Sequence, residues 1–168
     1  MTSTDIAADD GHEAVQAVDS SKITYTDDDL VAMLRTVWGE ARGETKEGQE
    51  GVAWVIRNRY EAALAYAAAN NGKKMWWGWT IETICQAPWQ FSCWNASDPN
   101  RHLLGEVSPS LPAYQALTDI CRAVLDDLVP DPTKGATYYK TTTLPWPKAW
   151  GPEKEPTAVL DHQSFYLL

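Results

Sequence analysis

The sequence predicts an α+β fold that is mostly helical and closes late in the chain on a small antiparallel sheet. Three observations carry this. Apolar residues recur at helical spacing over 30–41, 52–67 and 114–128. The strand segments assigned to the sheet come near the end, at 136–141 and 158–166. A chain of 168 residues suits a single domain, which buries about two thirds of the surface its unfolded form exposes.

Residues 1–24 are polar and acidic, lack periodicity and are expected to form a flexible tail, leaving the domain at 25–168. Thr26 or Asp27 is the expected N-cap of a first helix, whose first turn carries acids where the helix dipole favours them. Leu30, Met33, Leu34, Val37 and Ala41 share one face, and Gly43 ends the helix. Thr45 caps a second helix, in which Val52, Ala53, Ile56, Tyr60, Ala63, Leu64 and Ala67 recur until Asn70-Asn71-Gly72 turns the chain. A loop at 73–79 holds Trp76, Trp77 and Trp79, and a short helix over 80–86 is stopped by Pro88. Residues 95–109 read as polar loop. Ser110 then caps a long helix with Pro112 in its first turn and Tyr114, Leu117, Cys121, Val124, Leu125 and Leu128 on one face. A turn at 131–135 leads into two strands, 136–141 and 158–166, joined by a loop of Pro and Trp residues.

The formal net charge of −9, from 14 basic against 23 acidic residues, argues against nucleic acid, since neutralising phosphates needs Lys and Arg in excess. It argues equally against anionic membrane surfaces. No apolar run is long enough to cross a bilayer, so no membrane insertion is expected. The first residues have neither the basic start nor the apolar segment of a secretory signal, which implies synthesis in the cytoplasm. Cys85, Cys93 and Cys121 form no Cys-x-x-Cys and are expected to be buried free thiols. Nine Trp and seven Tyr offer flat apolar faces with a polar handle, which suit sugar rings as well as core packing. Composition leaves both uses open.

The chemistry concentrates at Val37-Trp38-Gly39-Glu40-Ala41-Arg42-Gly43-Glu44. At 100° per residue Glu40 falls on the edge of the apolar stripe, beside Met33 and Val37. A half-desolvated carboxyl there is expected to stay protonated near neutral pH and to serve as a general acid. Glu44 lies one turn on, beside Glu40, if the helix survives Gly39 and Gly43. Periodicity alone equally allows both acids to be solvated residues at a fraying helix end, with Arg42 and Lys46 as partners.

The run from Trp38 to Glu44, continuing Gly48-Gln49-Glu50-Gly51-Val52-Ala53-Trp54-Val55-Ile56-Arg57-Asn58-Arg59, resembles the opening of the cell-wall hydrolase family typified by bacterial spore-cortex lytic enzymes and related phage lysins. Two later blocks agree in order. Gln86-Ala87-Pro88-Trp89-Gln90-Phe91-Ser92-Cys93-Trp94-Asn95 resembles the family's central Gln-Phe-Ser segment, in a Trp-rich form associated with phage members. Gly135-Ala136-Thr137-Tyr138-Tyr139 and the stretch from His162 to Tyr166 resemble its last two strands. One departure is visible. The family pattern closes in His-x-Phe-Tyr, whereas Gln163 and Ser164 both separate His162 from Phe165 here, so no role is carried over to His162.

The resemblance implies a lysozyme-like, lytic-transglycosylase-like single domain that acts on peptidoglycan glycan strands, needs no cofactor and works as a monomer. Glu40 would protonate the leaving oxygen and then, as base, let the muramic acid 6-hydroxyl attack its own anomeric carbon to leave a 1,6-anhydro end. An N-acetylmuramidase would instead use a second carboxylate, for which Glu44 is the obvious neighbour. A glycan-binding module without chemistry is the reading from another class. Gln90, Ser92 and Asn95, interleaved with Trp89, Phe91 and Trp94, read from pattern alone as a half-buried strand. The resemblance makes them cleft residues that hydrogen-bond acetamido or hydroxyl groups. Tyr138 and Tyr139 point opposite ways in a strand, so at most one faces substrate, and Tyr138 is preferred. No metal is expected, since His-Glu-x-x-His is absent and His12, His102 and His162 are scattered. A phage lysin made without a signal would reach the wall through a holin pore or on the virion.

Overall fold

The computed structural model describes residues 23–168; most of the expected tail lies outside the described residues. Among the described residues four α-helices come first, α1 (Asp27–Ala41), α2 (Lys46–Ala69), α3 (Ile81–Gln86) and α4 (Gln115–Leu125). Three strands close the chain, β1 (Tyr138–Thr141), β2 (Ala158–Leu160) and β3 (Gln163–Tyr166), in the antiparallel order β1-β3-β2.

Helix α1 starts on a capping box: Asp29 N donates to Thr26 Oγ1 at 3.2 Å and Thr26 N donates to Asp29 Oδ2 at 3.0 Å. The other Asp29 oxygen accepts from Glu82 N at 2.9 Å, which ties the start of α3 to the start of α1. Helix α2 is the central element, with every residue from 51 to 59 buried. A Cβ on Gly51 would lie 2.7 Å from Phe165 Cζ, so its absence is what lets β3 pack onto this helix. Met33, Leu34, Val37, Val52, Ile56, Ile84, Val124 and Leu125 form the core among the helices. Val55, Ala136 and Phe165 form a second, smaller one under the sheet.

Several expected boundaries move for local reasons. The second strand is split: Asp161 adopts φ +51°, and the chain doubles back so that β2 and β3 pair, with Leu160 opposite Gln163. The long helix begins at Gln115, because Pro112 opens a separate 3-10 turn and Ser110 is engaged by Ser108 Oγ at 2.8 Å instead of capping. It ends at Leu125, with Asp127 at φ +59°, which leaves Leu128 exposed. The polar loop at 95–109 contains a 3-10 turn, Arg101–Glu106, that buries Leu104. No strand forms at 89–95. Gln90 N donates to Ala87 O in a tight turn, and Ser92–Trp94 is one turn of 3-10 helix.

Candidate active site

Glu40 sits in the last turn of α1, half-buried, with Met33 and Val37 fully buried beneath it. Gly39 decides what reaches it. A Cβ at this position would lie 2.5 Å from Cys93 Cβ, so only a glycine lets the Ser92–Trp94 turn approach the helix this closely. The turn is pinned there by Trp94 Nε1, which donates to Thr36 Oγ1 at 2.9 Å. As a result Cys93 N donates to Glu40 Oε1 at 2.8 Å and Ser92 Oγ donates to the same oxygen at 3.1 Å. Tyr139 Oη donates to Oε2 at 2.7 Å. The carboxyl expected against apolar atoms is therefore met by three donors, which orient it from both sides.

Burial, then the neighbouring Glu40, pushes the Tyr139 phenol well above its ordinary pKa, so the phenol keeps its proton as a donor. The same two causes push the Cys93 thiol up. Burial alone dominates at Cys85, pushed up to about 12, and at Cys121, also raised. All three cysteines are free and buried, as the sequence implies.

A groove of about 590 Å³ opens over Glu40, lined also by Arg59, Gln90, Ser92, Asn95, Tyr138, Tyr139 and a set of Trp residues. Among the described residues Glu40 is the only carboxylate on its lining. Arg59 is buried beneath it, donating from Nε to Thr137 O at 2.6 Å and from Nη1 to Gln90 Oε1 at 3.1 Å. Its guanidinium lies 4.9 Å from the Tyr138 ring and 5.1 Å from the Phe91 ring. Burial pulls the guanidinium pKa down, yet it remains a cation at any ordinary pH. Because arginine can only donate, the Gln90 amide is held with its oxygen inward, and Nε2 is left without a protein partner among the described residues.

The structure thus gathers Glu40, Gln90, Ser92, Asn95 and Tyr138 on one groove, and adds two residues the sequence reading missed. Tyr139 is one. It stacks near Phe91 and Phe165, at 6.3 and 5.9 Å between ring centroids, and its hydroxyl still reaches Glu40. Both tyrosines line the groove, because a phenol is long enough to reach it from the strand face that packs inward; strict alternation excluded this. Arg59 is the other. Its only sequence signal was the polar triple Arg57-Asn58-Arg59 inside an otherwise apolar run.

Glu44 is not brought to Glu40. Helix α1 ends at Ala41, so the one-turn spacing does not form, and Glu44 is absent from the groove lining. Its Oε2 accepts from His162 N at 3.1 Å and lies 3.2 Å from His162 Nδ1, which is also 3.2 Å from Asp161 Oδ1. Glu44, Asp161 and His162 offer ligand atoms within 4.8 Å of one another. Both carboxylates already accept from backbone N–H groups, Glu44 Oε2 from His162 N and Asp161 Oδ2 from Thr45 N at 2.8 Å, and the latter bond holds the Asp161 carboxyl below its usual range. Trp150 lines the groove 5.2 Å from the Tyr138 ring, while Trp146 packs on Tyr166 at 5.1 Å and covers the sheet.

A family model described as Cell Wall Hydrolase matches residues 43–166. The spore cortex-lytic enzyme of Oceanobacillus iheyensis is 52% identical over 40 residues, which are 24% of this chain and 14% of that protein, so the similarity spans a small part of the relative's length. The catalytic domain of the Bacillus cereus SleB protein matches with a TM-score of 0.55 at 24% identity, over 84% of this chain and 91% of that one. The catalytic domain of the germination-specific lytic transglycosylase SleB of Bacillus anthracis matches with a TM-score of 0.58 at 22% identity, over 84% and 95%. At these identities the likeness speaks for the fold, a lysozyme-like α+β domain.

Proposed function

This chain belongs to the cell wall hydrolase family, and on that premise we propose that it cuts the glycan strand of peptidoglycan between N-acetylmuramic acid and N-acetylglucosamine, with Glu40 as the proton donor. Glu40 lies just before the matched stretch, so its role rests on the groove geometry. The observation that carries the reading is a single carboxylate, fixed by three donors, on the lining of an open groove.

Cys93 N–H can only donate, which reserves Oε1 as an acceptor and leaves Oε2 to carry the proton. The Tyr139 hydroxyl can donate or accept, so it suits both protonation states of Oε2. Protonation of the glycosidic oxygen by Glu40 breaks the bond at the muramic anomeric carbon. The carboxylate then takes the proton of the muramic 6-hydroxyl, whose oxygen closes on that carbon as a 1,6-anhydro end. A lytic transglycosylase needs one carboxylate for this. Hydrolysis needs a second within about 5 to 10 Å, and Glu44 is turned to His162 instead. Gln90 Nε2, Asn95, Ser92 and Tyr138 are assigned to the acetamido and hydroxyl groups of the strand. The Trp-rich form of the Gln-Phe-Ser block supports a phage lysin role.

The test is mass spectrometry of purified sacculi digested by the protein. Anhydro-muropeptides are expected, at an unchanged rate in EDTA. Reducing muramic ends would make it a muramidase, and no released product would leave a glycan-binding module. Glu40→Gln is nearly isosteric and keeps an oxygen for Cys93 N–H, so it should fold as the parent does and lose at least about 10²-fold in activity. A Glu40→Gln protein as active as wild type would remove Glu40 from the mechanism.

A further inference from the structure

Trp89 is 81% exposed, the most of any large hydrophobic side chain among the described residues, and it stands on the groove lining beside Glu40 and Gln90. It makes no ring or cation contact among the described residues. Its backbone is held at φ +65°. The turn that imposes this runs Ala87-Pro88-Trp89-Gln90, closed by Gln90 N donating to Ala87 O at 3.1 Å. Proline second with a positive φ third is the pattern of a turn that takes glycine at the third place. A large side chain there is strained. Packing offsets little of that strain, since most of the indole is exposed and it has no ring or cation partner among the described residues. The same turn delivers Gln90, whose oxygen is locked by Arg59 and whose Nε2 is left open to the groove.

We propose that the Trp89 indole is a stacking platform for one sugar ring of the glycan strand that Glu40 cuts, a proposal that rests on the function assigned above. A pyranose presents a face of axial C–H groups, and an exposed indole is the broadest flat apolar surface a protein can set against it. The left-handed turn aims that surface at the groove while the next residue offers an amide donor to the same ring or its neighbour. Trp76, 67% exposed and also on the lining, extends the aromatic rim. Glycine at position 89 would satisfy the turn better and bind worse. The strain and the exposure both find their compensation only when a ring is bound.

The experiment uses the full chain in the Glu40→Gln background, so that ligands are not consumed. The probes are purified sacculi, by co-sedimentation, and the β-1,4 tetramer of N-acetylglucosamine, by calorimetry. Trp89→Gly should weaken both by about tenfold or more while its melting temperature stays level or rises. Trp89→Phe should fall between it and the parent. In active protein, Trp89→Gly should raise the apparent KM for sacculi with little change in kcat, the mark of lost binding. Trp79→Ala removes another exposed indole, one that packs by Lys74 outside the groove lining, and should change nothing. Binding by Trp89→Gly within about twofold of the parent would overturn the proposal and leave the assigned function standing. So would a melting temperature several degrees lower, which marks a structural residue, or an equal loss in Trp79→Ala. A parent that binds neither probe, with a wild type that releases no muropeptides, would overturn the assigned function and this proposal together.

Discussion

Gly39→Ala is the sharpest perturbation of the site, because it adds one carbon and no charge. The new Cβ would stand 2.5 Å from Cys93 Cβ and 2.8 Å from its Sγ, roughly 0.9 Å inside the 3.4 Å at which ordinary contact begins. Leu104 Cδ2, at 3.3 Å, blocks an easy escape on that side. Two terms oppose each other in stability: overpacking costs about 1 to 3 kcal/mol, and alanine gains about 1 kcal/mol over glycine in a helix. The net is a loss of about 0 to 2 kcal/mol, which the fold survives. Activity should suffer more. Moving Cys93 by that shortfall takes its N–H, now 2.8 Å from Glu40 Oε1, out of hydrogen-bond range. A bond to a charged group contributes about 1.5 to 3 kcal/mol, which corresponds to about 10- to 150-fold in rate where that bond orients the acid. The assay pairs thermal unfolding with the rate of sacculus lysis at a temperature where both proteins are folded. Gly43→Ala is the control, since nothing lies within 4 Å of its would-be Cβ. Wild-type lysis by Gly39→Ala would refute the claim that the close approach serves Glu40.

Two further outcomes follow from the same geometry. Tyr139→Phe keeps the ring beside Phe91 and Phe165 but removes the 2.7 Å donor to Oε2, so lysis should fall about tenfold or more at nearly constant melting temperature; equal loss of both would reassign Tyr139 to packing. In urea titrations stability should fall with alkali, because below the unfolded thiol pKa of about 8.5 both states hold the proton, whereas above it only the unfolded chain releases it. Cys85, pushed up to about 12, then contributes a loss of about 1.4 kcal/mol per pH unit, with Cys93 and Cys121 acting in the same sense. A urea midpoint unchanged between about pH 8.5 and 10 would contradict their burial as protonated thiols.

What was legible in the sequence was what helical phase and caps encode locally. Thr45 caps the helix that pattern assigned to it, Thr26 of the two residues offered caps the first, the helix expected from Thr80 starts one residue later with Thr80 as its cap, and Glu40 was placed on the stripe edge by counting alone. The failures are of two kinds. At chain ends of elements, single residues decided: Asp161 and Asp127 in the left-handed region broke a strand and ended a helix, and Asp tolerates that region well enough to give no warning. At the site, the contacts to Glu40 come from 52, 53 and 99 residues away, a distance over which periodicity says nothing. Thus Glu40 was visible in the periodicity and Ser92 only through the resemblance, whereas the contacts of Cys93 N and Tyr139 Oη were not.

That division also explains why Glu44 looked like the partner of Glu40. Local counting could only offer a neighbour on the same helix, and a helix that continued would have supplied one. Instead α1 stops at Ala41, and the chain spends Glu44 on the β2–β3 turn, where it accepts from His162 N. Among the described residues Glu40 is met by two hydroxyls and an N–H rather than by a second acid. A carboxyl flanked by a second carboxylate would be set up to activate water. One met by donors, of which the Tyr139 hydroxyl can also accept, suits a proton given and then taken back, as the proposed internal 6-hydroxyl attack requires.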